Sequence, residues 1–181
     1  LESVALTKEH ETLLNHDLNT FLRDRDFYER VGLPYRRGYM FHGKPGTGKT
    51  SLVNAISAKL NRDVYYMNLR NITSDSMLQS AFSRVPSNQI IVFEDIDAIT
   101  GAMGPSSLQG PFTLSCLLNC LDGHILNEGI IAIMTSNHPE KLDPALIRAG
   151  RIDLSLQLDY ADRYQVERMY QLVVSDDDDK Q

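Results

Sequence analysis

A chain of 181 residues is long enough for one domain with a substantial core, and 42% hydrophobic with 23% charged content is typical of an ordinary soluble globular protein. No apolar run approaches the roughly 20 residues that span a bilayer, and no signal-peptide pattern opens the sequence. Net charge is −6, of which Asp176 to Asp179 and Lys180 supply −3, so the body lacks the basic excess expected of a nucleic-acid binder.

In chain order, a helical pattern covers Lys8–Asp24, and an apolar run at Gly38–His42 predicts the first strand. That strand leads into Gly43-Lys44-Pro45-Gly46-Thr47-Gly48-Lys49-Thr50, a glycine, four residues, then Gly-Lys-Thr. This is the phosphate-loop pattern, and the amphipathic helix expected over Thr50–Leu60 completes its strand–turn–helix context. Glycines let successive backbone N–H groups converge on phosphate oxygens, with a helix N-terminus behind them. Lys49 supplies a mobile cation for the terminal phosphates, and Thr50 offers a hydroxyl to magnesium. The binding set is Gly43, Lys44, Pro45, Gly46, Thr47, Gly48, Lys49, Thr50 and Ser51, and it implies a nucleoside triphosphate with Mg²⁺.

A second strand at Asp63–Asn68 and a helix at Asp75–Val85 precede a third strand at Gln89–Phe93. Ile90-Ile91-Val92-Phe93 then runs into Glu94 and Asp95, with Glu94 placed 45 residues after Lys49. Carboxylates at the end of a parallel strand face the ligand crevice. One of the two can hold magnesium, usually through water, and the other can polarise the water that attacks the terminal phosphate. Asp97 also suits a helix cap. Gly101–Pro111, rich in Gly, Pro and Ser, reads as a loop. The helix expected at Leu114–Leu121 carries Cys116 and Cys120, whose spacing without histidine neighbours predicts buried free thiols, not a zinc site.

The fourth strand, Gly129–Thr135, runs into Ser136 and Asn137, where an amide can orient water without adding charge. Farther on, Leu142–Asp153 holds Arg148 and Arg151, three apart. Paired guanidiniums suit a planar phosphate, and in isolation they suit surface salt bridges equally well. A fifth strand at Asp153–Leu158 precedes a last helix that starts near Asp162 and passes Met169. Residues 173–181 read as an acidic, disordered tail. Its Asp-Asp-Asp-Asp-Lys also matches an engineered protease site, so residues 1–172 are taken as the domain. The five histidines are scattered without metal-ligand spacing. Nearly continuous apolar strands alternating with helices predict an α/β doubly wound domain with a five-stranded, mostly parallel sheet flanked by helices.

Taken together, the motifs resemble those of the AAA ATPases, a P-loop NTPase family. Within it the chain is similar to the mitochondrial inner-membrane chaperones that assemble respiratory complex III. The resemblance spans Leu1 to Leu172 and rests on Gly32-Leu33-Pro34-Tyr35-Arg36-Arg37-Gly38-Tyr39 ahead of the phosphate loop, Phe93-Glu94-Asp95-Ile96-Asp97-Ala98, and Leu117-Leu118-Asn119-Cys120-Leu121-Asp122-Gly123. Met134-Thr135-Ser136-Asn137-His138 and Leu142–Asp153 complete it. It implies the large α/β subdomain of an AAA module without the helical lid, binding ATP or ADP with Mg²⁺ and hydrolysing ATP. It assigns Glu94 the metal-associated position beside Thr50, Asp95 the water-activating one, and Asn137 the γ-phosphate sensor. Arg148 and Arg151 match arginine fingers that reach a neighbouring subunit's site, so hydrolysis depends on a homo-oligomeric ring. Leu1-Glu2-Ser3-Val4 resembles the segment that contacts adenine. The implied setting is the mitochondrial inner membrane, reached through segments outside this chain, with a folded respiratory-complex subunit as protein client and no nucleic acid.

Departures from the wider family are informative. Glu94-then-Asp95 reverses the usual acidic order, as the complex III chaperones do, and Asp95 has one methylene less reach. Lys44 stands where proline is usual, and Ala149 replaces a common proline. Leu69-Arg70-Asn71-Ile72-Thr73-Ser74 lacks the aromatic–apolar–glycine pore loop of unfoldases, which argues against threading an extended polypeptide. Two other functions fit the motifs less well: a nucleic-acid-remodelling AAA module, and a nucleotide-gated scaffold with little turnover.

Overall fold

A computed structural model of the chain describes residues 1, 3–97, 112–123 and 125–178. The stretch read as a loop, Gly101–Pro111, lies outside those residues, as do Glu2 and His124. Five strands form one sheet: β1 (Arg36–His42), β2 (Val64–Tyr66), β3 (Ile90–Phe93), β4 (Ile130–Ser136) and β5 (Leu154–Gln157), in the order β2-β3-β4-β1-β5. Every pairing is parallel. All four residues of β3 and all seven of β4 are buried, because helices cover both faces and no polar side is needed.

Side-chain alternation along the strands divides the core in two. Tyr39, Phe41, Ile90, Val92, Ile131 and Ile133 pack with Leu14, Leu18 and Phe21 of α1 (Lys8–Arg23) and Leu52, Val53 and Ile56 of α3 (Lys49–Leu60). Their neighbours Met40, Ile91, Phe93, Ala132 and Met134 pack with Leu78 and Phe82 of α4 (Asp75–Ser83) and with Cys116, Leu117, Cys120 and Leu121 of α5 (Leu114–Leu121). Both cysteines are free and buried, and burial pushes the Cys120 thiol up to about 12, so it stays protonated. Among the described residues no cluster of His, Cys, Asp or Glu could hold a metal, and no helix is long and apolar enough to cross a membrane.

Three elements differ from the sequence reading. Helix α2 (Arg25–Val31) is unanticipated, since it buries no residue and so carries no apolar stripe. Strand β2 is only three residues long, because Asn68 turns the chain, its Oδ1 accepting from the Arg70 N–H at 3.1 Å to cap a 3₁₀ turn at Leu69–Asn71. The last helix, α6 (Arg163–Asp178), continues into the segment read as a disordered tail; no glycine or proline interrupts it.

Strand β1 is fastened on both sides. The Arg37 guanidinium pairs with Asp17 of α1 and lies 3.7 Å from Asp153 ahead of β5, while the Tyr39 hydroxyl donates to Asp17 at 2.8 Å. Gly38 permits this close approach, since a Cβ there would stand 1.7 Å from the Arg151 carbonyl oxygen. Gly38→Ala is therefore expected to destabilise the domain by roughly 2–4 kcal/mol, read from urea denaturation. A stability unchanged from the parent would contradict the close packing of β1 on this turn.

Candidate nucleotide site

The sheet order brings three motifs side by side. β3, β4 and β1 are consecutive, and adjacent strands lie roughly 4.8 Å apart. Parallel registers set Phe93 opposite Met134 and His42 opposite Ser136, so the acidic pair, the asparagine and the phosphate loop all emerge at one edge.

The loop leaves β1 at Gly43, where φ is 141° and a Cβ would lie 1.9 Å from the Leu158 carbonyl oxygen. It enters α3 at Gly48 without any side-chain cap and with no acidic residue in the first turn. Helices α1, α4 and α5 differ, each having a hydroxyl cap from Thr7, Ser74 or Thr113. The leading amides of α3 thus remain directed at the loop, which is where an anion is stabilised.

Lys49 is only 8% exposed. Its ammonium donates to the Gly43 and Lys44 carbonyls at 2.8 and 2.9 Å and to Asn137 Oδ1 at 2.7 Å. Burial lowers its pKa, opposed by the negative charges of Asp95 and Asp97. The Asn137 amide then donates to Asp95 Oδ1 at 3.0 Å, linking Lys49 to Asp95 through one side chain. Asp95 occupies a left-handed conformation with φ 47°, and its N–H donates to Thr135 Oγ1 at 3.2 Å. Thr50 Oγ1 donates to Glu94 Oε1 at 3.1 Å. One hydroxyl and one exposed carboxylate fit Mg²⁺, which takes few protein ligands and fills its remaining positions with phosphate and water oxygens.

Lys44 and Ser51 are exposed flanks of the loop. The Lys44 ammonium turns outward, 3.9 Å from Asp159 and 4.3 Å from the centre of the Tyr160 ring. Thr47 Oγ1 closes the loop by donating to the Lys44 carbonyl at 2.8 Å. Beside the loop lies a cavity of about 420 Å³, walled by Val4, Ala5, Thr47, Tyr160, Met169 and Leu172 among others. Its walls combine Ser3, Val4 and Ala5 of the first segment with helix α6, which the sequence reading did not place at the site.

The two arginines part company. Both line a separate cavity of about 530 Å³ with Arg36 and Asp122, to which no phosphate-loop residue contributes. Arg151 is held within its own chain: Nε and Nη2 donate to the two Asp122 oxygens at 2.7 and 2.8 Å, and Nη1 donates to the Ala145 carbonyl at 2.6 Å. Arg148 is exposed; its carbonyl accepts from the Arg151 and Ile152 N–H groups at 3.0 and 3.1 Å, but its guanidinium has no hydrogen bond or ion pair among the described residues.

A model of the AAA family, "ATPase family associated with various cellular activities", matches residues 39–160. The chain is 40% identical over 175 residues to the probable mitochondrial chaperone bcs1 of Schizosaccharomyces pombe, an alignment covering 94% of this chain and 39% of that protein. It is 36% identical over 179 residues to the mitochondrial chaperone BCS1 of Homo sapiens, covering 94% and 43%. An AAA-ATPase of Arabidopsis thaliana is 36% identical over 167 residues, covering 87% and 36%. The chain therefore spans about two fifths of the length of these curated relatives.

The site also makes a pH prediction. His42 ends β1 beside Lys49, and burial followed by repulsion from that ammonium depresses its pKa. A depressed folded-state value means that the neutral ring's stabilisation is complete above the unfolded-state pKa and is lost as pH falls through the folded-state value. From about pH 7.5 to 5 the parent is expected to lose more melting temperature than His42→Gln. Parallel pH curves for the two proteins would contradict this.

Proposed function

This chain belongs to the AAA family of ATPases, and from that premise we propose that it is the ATP-hydrolysing domain of a ring-forming assembly chaperone or protein translocase. By analogy with its similarity to proteins named mitochondrial chaperones, the proposed setting is the mitochondrial inner membrane, with a folded subunit of respiratory complex III as client. The observation that carries the nucleotide reading is the hydrogen-bonded line from Lys49 through Asn137 to Asp95 at the mouth of the phosphate loop.

In this reading Lys49, whose donors are all engaged with oxygens, exchanges one or more of them for oxygens of the terminal phosphates. Thr50 and Glu94 would hold Mg²⁺, which when bound would neutralise charge on the phosphates. Asp95 accepts a proton from the attacking water, and Asn137 keeps that water and the terminal phosphate aligned. The cavity lined by Val4, Thr47 and Met169 takes the base and ribose. Arg148 is the finger offered to a neighbouring copy, being exposed with its guanidinium unengaged among the described residues. Arg151, tied to Asp122, supports the turn that presents it. Such a finger is worth roughly 10³–10⁵ in rate.

Two substitutions in the full-length protein test this assignment. Lys49→Ala is expected to abolish nucleotide binding measured by calorimetry. Arg148→Ala is expected to bind ATP as the parent does while losing hydrolysis in the assembled state by roughly 10³-fold or more. Parallel loss of binding in the Arg148 variant would sink the finger assignment. ATP bound by the parent without phosphate release would instead favour a nucleotide-gated scaffold.

A further inference from the structure

Strands β3 and β4 stay joined beyond their last paired residues. The Asp95 N–H donates to Thr135 Oγ1 at 3.2 Å, and the Ile96 N–H donates to the Thr135 carbonyl at 3.0 Å. Next along, a single oxygen of Asp97, Oδ1, accepts from the Ser136 hydroxyl at 2.7 Å and from the Asn137 N–H at 3.2 Å. Asp97 is 8% exposed and Ser136 is fully buried. Ser136 Oγ also accepts from the His138 N–H at 3.0 Å, so residues 136, 137 and 138 all hang on this carboxylate directly or through one hydroxyl. Asp97 is the one described residue of the helix that the sequence reading has it cap; the rest lies outside the described residues.

The consequence falls on Asn137. Its side chain has to meet Lys49 on one side and Asp95 on the other, at 2.7 and 3.0 Å. It stands just past the end of β4, where the sheet no longer fixes its backbone. The Asp97 carboxylate supplies that fixation through a charge-assisted bond to the Asn137 N–H. We propose that Asp97 is a positioning residue of the nucleotide site, whose carboxylate fixes the Asn137 backbone so that its amide distinguishes a nucleoside triphosphate from a diphosphate. The inference rests on the nucleotide reading of the site. Asp97 touches no phosphate in this scheme; it acts through Asn137. Its charge also favours the ammonium form of Lys49, so a purely electrostatic role is the competing explanation.

The test is equilibrium binding of a non-hydrolysable ATP analogue and of ADP to the full-length protein. Asp97→Ala is expected to weaken the ATP analogue by about tenfold while ADP affinity stays within about twofold, as expected for loss of one well-placed polar contact. Asp97→Glu keeps the charge but displaces the oxygen by a methylene, and it is expected to lose triphosphate preference at least threefold, roughly. It serves as the decisive variant if Asp97→Ala proves unstable. In the Asp97→Ala/Asn137→Ala double variant the loss is expected to equal that of Asn137→Ala alone, because both act through one amide. Equal weakening of both nucleotides, an Asp97→Glu variant that keeps the parent's preference, or multiplicative losses in the double variant would each overturn the positioning role. A parent protein that binds neither nucleotide would overturn the nucleotide reading and this inference with it.

Discussion

An ammonium group on a residue only 8% exposed must find oxygen partners, and the three that surround Lys49 come from its own loop and from the end of a neighbouring strand. Much of the site's architecture can be understood as the means of meeting that requirement. The loop carbonyls of Gly43 and Lys44 are turned inward by the tight exit from β1. The third acceptor, Asn137, arrives because β4 lies directly beside β1 in register. Asn137 is in turn shared with Asp95, which arrives because β3 lies beside β4. Strand order, register and one buried charge thus assemble a cationic, an amide and an acidic group within hydrogen-bonding reach of one another.

On the proposed reading the site is incomplete within one chain. Arg148 and Arg151 line a cavity to which the phosphate loop contributes nothing, and Arg151 already directs Nε, Nη1 and Nη2 to Asp122 and the Ala145 carbonyl. Among the described residues the exposed Arg148 guanidinium has no hydrogen-bond or ion-pair partner and no arginine hydrogen-bonds to the phosphate loop, two complementary deficits. On the proposed reading they are resolved between copies, Arg148 of one meeting the loop of the next. Turnover would then depend on assembly through a single guanidinium, with Arg151 stiffening the turn that carries it.

What could be read from the sequence followed from local rules. The phosphate loop is legible because its glycines, lysine and threonine sit at fixed spacing after an apolar strand. Strands β1, β3 and β4 are legible because burial makes them apolar runs bounded by polar turns, and β5 because Leu154 and Leu156 alternate with exposed Ser155 and Gln157. Helix α2 was not, because it buries nothing and leaves no periodicity to detect. The Arg151–Asp122 pair was not, because a motif places two arginines in a turn but does not say which carboxylate 29 residues away will claim one of them. Asp97 was legible as a cap and as part of the acidic motif, but its partners, which lie at and just past the end of β4, were not. Lys44 sat in the motif yet turned outward, toward Asp159 and Tyr160, which sequence spacing could not reveal.

The most direct test of the account is the rate of ATP hydrolysis per subunit measured against the concentration of the full-length protein. A site completed by a neighbour's Arg148 predicts a specific rate that is low in dilute solution, rises steeply with concentration and levels off once assembly is complete. An appreciable rate that does not change with concentration, in protein shown by light scattering to be monomeric, would contradict the account, because a single chain would then be hydrolysing ATP without a partner.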